Sequence, residues 1–192
     1  MRNPIRLKNA SLRYLPWYVL GALALLWSRP DPAAFGFGSG VALVGLALRS
    51  WGAGHLVKND ELTVSGPYRF VRHPLYAGTL LIGVGFALIA GGWLTLALLP
   101  VLGLWFFLSY FPRKERSESV RLAGLYGEAF TSYRAAVPAL LPFRKPWPAA
   151  ASESSEVRSW DFARFSDNNE LGTLLAVLVV LTLFGIRAAT VA

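Results

Sequence analysis

The sequence predicts an all-α integral membrane protein, and two observations lead to that fold class. Of the 192 residues, 54% are hydrophobic and only 16% are charged, which is less charge than a soluble domain of this length carries. Several apolar runs approach the roughly 20 residues that an α-helix needs to cross the hydrocarbon core of a bilayer. We expect residues 1–192 to form a single domain with five transmembrane helices, because short connections leave little chain for anything else.

The first two predicted spans lie in the first third of the chain. Span one covers about Tyr14–Trp27 and is interrupted by Pro16. It follows a basic segment without a clear cleavage site, so we interpret it as a retained span and not as a signal peptide. Span two covers about Ala33–Leu56 and is rich in Gly and Ala, with Arg49 and His55 near its end.

Spans three and four are predicted to form an antiparallel hairpin. They cover about Pro74–Ala90 and Trp93–Phe111 and are separated only by Gly91–Gly92. Pro100 is expected to kink span four. Span three should present a smooth face to another helix or a flat ligand, since it contains three small residues, Gly78, Gly83 and Gly85.

A long polar segment follows the hairpin. The stretch FPRKERSESVRLAGLYGEAFTSYRAAVPALLPF has the apolar spacing of amphipathic helices, broken near Gly127, which we expect to lie on the membrane surface. Residues 144–160 are rich in Pro, Ala and Ser and are predicted to be a linker. Span five is predicted at about Leu171–Ala192.

The distribution of basic residues predicts the orientation. With a cytoplasmic N-terminus, the inner segments 1–13, 49–73 and 112–170 hold 17 of the 19 Lys and Arg residues. Only Arg29 and Arg187 fall outside them. We therefore expect a cytoplasmic N-terminus, an outer C-terminus and an active site on the cytoplasmic side. The Ala, Gly and Arg usage suggests a bacterial inner membrane.

Composition also narrows the chemistry. The chain has no cysteine, which excludes disulfides, thiolate catalysis and Cys-ligated metals. The only two histidines, His55 and His73, are too few to indicate a metal site, and no metal is expected. We attribute the net charge of +8 to loops that face anionic lipid headgroups, and no nucleic-acid partner is expected.

The stretch GPYRFVRHPLYAG, residues 66–78, places Arg69, Arg72 and His73 directly before span three. Pro74 is typical of the first turn of a helix, and a helix start presents unpaired N–H groups with a partial positive charge. Together with Arg72 and His73, these groups suit a carboxylate or a phosphate. Alternatively, the arginines and aromatic residues only anchor the span at the headgroups.

A second charged cluster, RKERSES, follows span four. The tight hairpin should bring residues 113–118 close to Arg72 and His73. Lys114 and Glu118 are four residues apart and share one helix face. The alternative is a solvated face whose salt bridges contribute only about 0.3–0.5 kcal/mol each.

Taken together, KNDELTVSGPYRFVRHPLYAG, the apolar hairpin and the later E…LYGEAFTSYRAAVPALLPF resemble the isoprenylcysteine carboxyl methyltransferase family. That superfamily includes phospholipid methyltransferases, and the resemblance covers about residues 54–143. It implies an integral-membrane methyltransferase that uses S-adenosylmethionine and an acceptor from the bilayer. Such a methyl transfer needs proximity and alignment and no metal or covalent nucleophile.

The resemblance also implies roles for individual residues. Five cofactor contacts would come from the motif before and within span three, namely Tyr68, His73, Pro74, Leu75 and Tyr76. Five more would come from the preceding loop, namely Lys58, Asp60, Glu61, Leu62 and Thr63. Glu118 would bind the cofactor from the other side. Arg113 or Lys114 would face the acceptor, although the family usually has Arg at the position of Lys114. Ser119 stands where many members carry a second Glu, while Glu115 and Glu128 receive no role.

Several functions stay open at this stage. The acceptor implied first is an isoprenylcysteine-type carboxylate, and the alternative is a phospholipid amine. A membrane reductase of the sterol type and a non-enzymatic membrane scaffold are alternatives of another class.

Overall fold

The computed structural model describes residues 15–57, 61–148 and 159–191. Within these ranges the chain is helical and contains no strand. The helices are α1 (Leu15–Trp27), α2 (Pro32–His55), α3 (Pro74–Ala90), α4 (Gly92–Trp105), α5 (Phe111–Ala136), α6 (Phe162–Asp167) and α7 (Glu170–Val191). A 3₁₀ turn, Gly66–Arg69, precedes α3, and a π-helical turn, Phe106–Tyr110, joins α4 to α5.

Helices occur at all five positions where the sequence predicts a span. Among the described residues, three helices are long and apolar enough to cross a membrane: Pro32–His55, Gly92–Ala136 and Glu170–Val191. Helix α3 is apolar but has only 17 residues. The structure thus confirms an all-helical fold with long apolar helices, while the count of five spans stays a prediction.

The centre of the fold is the packing of α2 against α3, which depends on glycine. A Cβ atom on Gly45 would lie 2.7 Å from the carbonyl oxygen of Gly78, and one on Gly85 would lie 2.6 Å from that of Gly38. Without side chains at these positions, the two backbones approach closely, as in small-residue interfaces of membrane helices. The smooth face predicted for span three is confirmed, and its partner is a helix. Gly83, in contrast, faces Leu102 of α4.

The polar segment after span four differs from the prediction of separate surface helices. The chain is helical from Gly92 to Ala136, with a kink at Gly127, and this helical segment contains Pro100 and the π-helical turn. Its first half, up to Phe111, is apolar, and its second half is polar. The expected break near Gly127 is confirmed, since this residue has a φ of 51° and a ψ of −121°. The polar half is therefore a direct continuation of span four.

A short strap, residues 159–169, ties α7 to the C-terminal end of α2. The Trp160 indole donates to the carbonyl oxygen of Ser50 (2.9 Å), and Arg164 Nε donates to that of Gly54 (2.9 Å). Asn168 Nδ2 donates to the carbonyls of Ala53 and Leu56 at 2.8 and 3.0 Å. The carbonyls of Ala53, Gly54 and Leu56 lie at the end of α2, where a helix leaves carbonyl groups without a backbone partner, so Arg164 and Asn168 satisfy them.

Candidate functional site

A cavity of about 300 Å³ lies where α3 begins, which is one edge of the apolar helices. It is bounded by the loop after α2, by the 3₁₀ turn, by the first turn of α3 and by one face of α5. Helix α3 begins at Pro74, with His73 as its N-cap residue. Residues 72–73 are held from behind, because their backbone N–H groups donate to the carbonyls of Pro138 (2.9 Å) and Ala139 (3.0 Å).

The charged residues before α3 are paired with glutamates of α5. Arg72 Nη1 lies 2.7 Å from Glu115 Oε1, and Arg72 Nε donates to the carbonyl oxygen of Val137 at 3.0 Å. His73 Nε2 contacts the other oxygen of Glu115, and its Nδ1 lies 3.4 Å from Glu118 Oε2. The carboxylates that meet the basic helix start are thus supplied by the protein itself.

Of the two paired glutamates of α5, Glu118 is the one that reaches the cavity. It lines the cavity wall, its side chain is 33% exposed, and one of its oxygens accepts a hydrogen bond from the hydroxyl of Tyr76. The Tyr76 ring also stacks on the His73 ring, with 5.4 Å between the ring centroids. These contacts fix the direction of a partly desolvated carboxylate that faces open space.

The pairing shifts the ionisation of the cluster. Burial alone would raise the pKa of Glu115, but its hydrogen bonds and attraction to His73 and Arg72 outweigh burial and hold the pKa at about 2. Burial would lower the pKa of His73, but the bonds and charges of Glu115 and Glu118 outweigh it and raise the pKa above 6.5. The pairing therefore favours the ionised forms of both Glu115 and His73.

A buried ion pair supports the cavity from below. Arg49 Nε and Nη2 donate to the two oxygens of Glu170 at 2.7 and 2.9 Å, and Glu170 is 1% exposed. Arg49 Nη1 donates to the Thr79 hydroxyl (2.5 Å) and to the Leu75 carbonyl (3.1 Å). Arg49, which the sequence places near the end of span two, thus connects the start of α7 to the first turns of α3.

The structure gathers most of the predicted cofactor residues around this one cavity. Nine of them line it: Glu61, Leu62, Thr63, Tyr68, His73, Pro74, Leu75, Tyr76 and Glu118. Lys58 and Asp60 lie outside the described residues. Arg113 and Lys114 are exposed and do not line the cavity, and the Arg113 guanidinium donates to the Ser109 hydroxyl. That one of these two residues faces the acceptor stays a prediction.

Sequence reasoning gave no role to several residues that complete the site. Glu115, which the family spacing left without a role, forms the ion pairs with Arg72 and His73. Ser119, the position of the missing second Glu, is buried and donates to Glu115 at 3.3 Å. Further cavity residues are Leu56, Val57, Arg121, Leu122, Tyr126, Phe130 and Tyr133. The apolar spacing of the α5 segment was the available signal for the last four of these.

Comparison with known proteins gives a family match and similar curated proteins. Residues 37–129 match the profile of the phospholipid methyltransferase family. Over 85 residues, 44% of this chain, the sequence is 31% identical to protein-S-isoprenylcysteine O-methyltransferase of Schizosaccharomyces pombe, of which the match covers 34%. It is also 40% identical over 85 residues to the cobalt-zinc-cadmium resistance protein CzcN of Cupriavidus metallidurans, of which 37% is covered.

The matches span only about a third of the length of these two curated relatives. No solved structure matches the chain significantly. The matched region contains α3, the hairpin and Glu118, so the resemblance inferred from the sequence motifs is confirmed.

Proposed function

We propose that the chain transfers the methyl group of S-adenosylmethionine to a lipid-soluble acceptor, and the match of residues 37–129 to the phospholipid methyltransferase profile supports this proposal. The observation that carries the proposal is the convergence of nine motif residues on one cavity at the edge of the apolar helices. A site there is open to a polar cofactor from the aqueous side and lies within reach of an acceptor in the bilayer.

The cavity has the chemistry that this cofactor requires. Its volume of about 300 Å³ is at the lower end of the roughly 300–1,000 Å³ typical of small-molecule sites. Its wall combines aromatic rings with two carboxylates, Glu61 and Glu118, and two guanidiniums, Arg72 and Arg121. S-adenosylmethionine carries a flat adenine, ribose hydroxyls, an ammonium and a carboxylate, so each of its groups finds a complementary type of side chain.

We assign the central binding role to Glu118. Its carboxylate would accept hydrogen bonds from ribose hydroxyls or from the ammonium group. Tyr76 and His73 hold it in place, and Glu115 balances the charges of Arg72 and His73 from behind the wall. Tyr68, buried beneath the cavity and fixed through its carbonyl by the Tyr133 hydroxyl (2.6 Å), would contact the ring.

When bound, S-adenosylmethionine supplies a methyl group on a positively charged sulfur. The protein then needs only to bring the acceptor into line and to exclude water, since the displacement needs no metal and no covalent nucleophile. An ionised carboxylate acceptor has no proton to lose, so no general base is required for it. A phospholipid amine must lose a proton, which would require Glu118 or Glu61 to accept it.

We place an isoprenylcysteine-type carboxylate first among the acceptors. The chain resembles a protein-S-isoprenylcysteine O-methyltransferase, whose name specifies that acceptor. In addition, Arg72 and Arg121 line the cavity and would attract a carboxylate. The phospholipid amine is the second candidate, because the matching profile is that of phospholipid methyltransferases. Arg113 or Lys114, on the exposed face of α5 outside the cavity wall, would face the acceptor.

Calorimetry on the purified full chain tests the cofactor. S-adenosylhomocysteine is expected to bind and NADPH is not, whereas a reductase would show the reverse and a scaffold would bind neither. Transfer of a labelled methyl group to a farnesylcysteine analogue or to phosphatidylethanolamine then distinguishes the two acceptors. Base-labile label identifies the methyl ester of the carboxylate, because an N-methyl product is stable to base.

A further inference from the structure

A second cavity, here called the distal cavity, lies at the membrane edge opposite the functional site. It has a volume of about 470 Å³ and is lined by Leu26, Trp27, Arg29, Trp93 and Arg187. Helix α1 ends there and α4 begins there, whereas the functional site lies at the other end of α3. At 1.5 Å per residue, the 17 residues of α3 separate the two edges by about 25 Å.

Two guanidiniums give the distal cavity a positive charge. Arg187 is held in place, since its Nε and Nη2 donate to the carbonyls of Ser28 (3.2 Å) and Leu26 (2.8 Å). Within residues 15–57, 61–148 and 159–191, neither Arg29 nor Arg187 forms an ion pair with a carboxylate. Their charges are therefore not neutralised by the described part of the protein.

The start of α4 adds to the same field. Its N-cap residue is Gly91, which has no side chain to cap the first N–H groups. The nearby Thr95 hydroxyl donates to the Ala87 carbonyl (2.8 Å) and is not used as a cap. An uncapped helix start carries a partial positive charge and free N–H donors, and Trp93 in this first turn lines the cavity.

The two tryptophans place the distal cavity at headgroup depth. Trp27 and Trp93 are 62% and 65% exposed, and exposed tryptophans of membrane helices concentrate at the level of the lipid headgroups. Arg29 and Arg187 are also the two basic residues that the orientation analysis leaves on this side of the chain. Arginines that only anchored their own helices would have no reason to share one cavity.

We propose that the distal cavity binds an anionic phosphodiester, supplied by a lipid headgroup such as that of phosphatidylglycerol. The two guanidiniums and the uncapped turn of α4 would hold the phosphate, and the tryptophans would flank the glycerol. This inference does not depend on the proposed methyl transfer, because none of its residues belongs to the functional site.

Native mass spectrometry tests the proposal on the full chain in neutral detergent, equilibrated with equal amounts of phosphatidylglycerol and phosphatidylcholine. The wild type is expected to retain phosphatidylglycerol preferentially. Arg29→Gln should reduce that preference about fivefold, the effect expected for one basic residue near an anionic lipid. Arg29 is the residue replaced because its side chain forms no hydrogen bond among the described contacts, so the change should leave the fold intact. Arg187, in contrast, also caps α1. Arg116→Gln, an exposed site on α5, is the matched control and should leave the preference unchanged.

Three results would overturn the proposal. The first is equal retention of the two lipids by the wild type. The second is an equal loss in Arg29→Gln and Arg116→Gln, which would mean general attraction to a basic protein. The third concerns the source of the anion: if inorganic phosphate alone raises the melting temperature in phosphatidylcholine nanodiscs as much as phosphatidylglycerol does, the site takes a free anion and not a lipid.

Discussion

Replacing Glu118 with glutamine is predicted to weaken the binding of S-adenosylhomocysteine by about ten- to a hundredfold while the protein stays folded. The carboxylate lines the cavity, and glutamine has the same shape but no charge. Loss of a charged hydrogen-bonding partner in a partly desolvated site costs about 1.5–3 kcal/mol. At about 1.4 kcal/mol per factor of ten, that range corresponds to the predicted loss of affinity. The glutamine can still accept the hydrogen bond of Tyr76, so the local structure should persist.

Two other glutamates of the same helix provide matched comparisons. Glu115 is 16% exposed, pairs with Arg72 and His73 and does not line the cavity. Glu115→Gln should therefore lower the free energy of unfolding by about 1.5–3 kcal/mol and reduce the affinity less than Glu118→Gln does. Glu128 is exposed, and its change to Gln should alter either quantity by no more than about 0.5 kcal/mol.

Calorimetric titration and thermal unfolding of all three variants in one detergent make the comparison. If Glu118→Gln binds S-adenosylhomocysteine as tightly as Glu128→Gln does, the cofactor site has been placed wrongly. If Glu115→Gln loses as much affinity as Glu118→Gln with an unchanged melting temperature, the separation of a binding glutamate from a supporting one is wrong.

Three further predictions concern stability. Glu170→Ala is expected to lower the free energy of unfolding by about 3–5 kcal/mol, because the Arg49 side chain, only 17% exposed, would lose its counter-ion; an unchanged chemical unfolding midpoint would contradict this. Gly85→Ala is expected to cost about 1–3 kcal/mol through overpacking of α2 on α3, whereas Gly103→Ala, with open space around it, should be neutral or slightly stabilising in the same melts. The pKa of Glu115 is about 2 in the folded protein against an ordinary 4.5, so its contribution to stability is present above about pH 4.5 and is lost as the pH falls towards 2. Between these two pH values, the melting temperature should decrease more steeply for the wild type than for Glu115→Gln.

Features set by a short stretch of chain could be predicted from the sequence. The start of α3 at Pro74 follows from the fixed φ of proline, and the hairpin at Gly91–Gly92 and the break at Gly127 follow from the freedom of glycine to take a positive φ. Once the hairpin closes, the loop before α3 and the first part of α5 meet at one edge. For this reason the cofactor residues predicted from these two segments lie around one cavity, as far as the structure describes them.

Side-chain pairs between distant elements could not be predicted, because they depend on how each helix is rotated. The π-helical turn at Phe106–Tyr110 adds a residue to one turn and advances everything after it by about 100°. As a result Glu115 and Glu118 face the start of α3, while Lys114 is exposed. Glu170 pairs with Arg49 from 121 residues away, and no local spacing marks that partnership.

The helix that starts at Gly92 continues without a break past Glu118 as far as the kink at Gly127, so a tilt of its apolar half also moves the part that forms the cavity wall. Glu118 stands 16 residues beyond Leu102 on this helix, which is about 24 Å at 1.5 Å per residue. A membrane helix adjusts its tilt to the thickness of its bilayer, and a change of roughly 5° would move the far end of that arm by about 2 Å. Since His73 and Tyr76 start a different helix, such a movement would change their distance from Glu118. The proposed methyl transfer should then vary with lipid chain length, and its rate in short-chain detergents would differ from its rate in a bilayer.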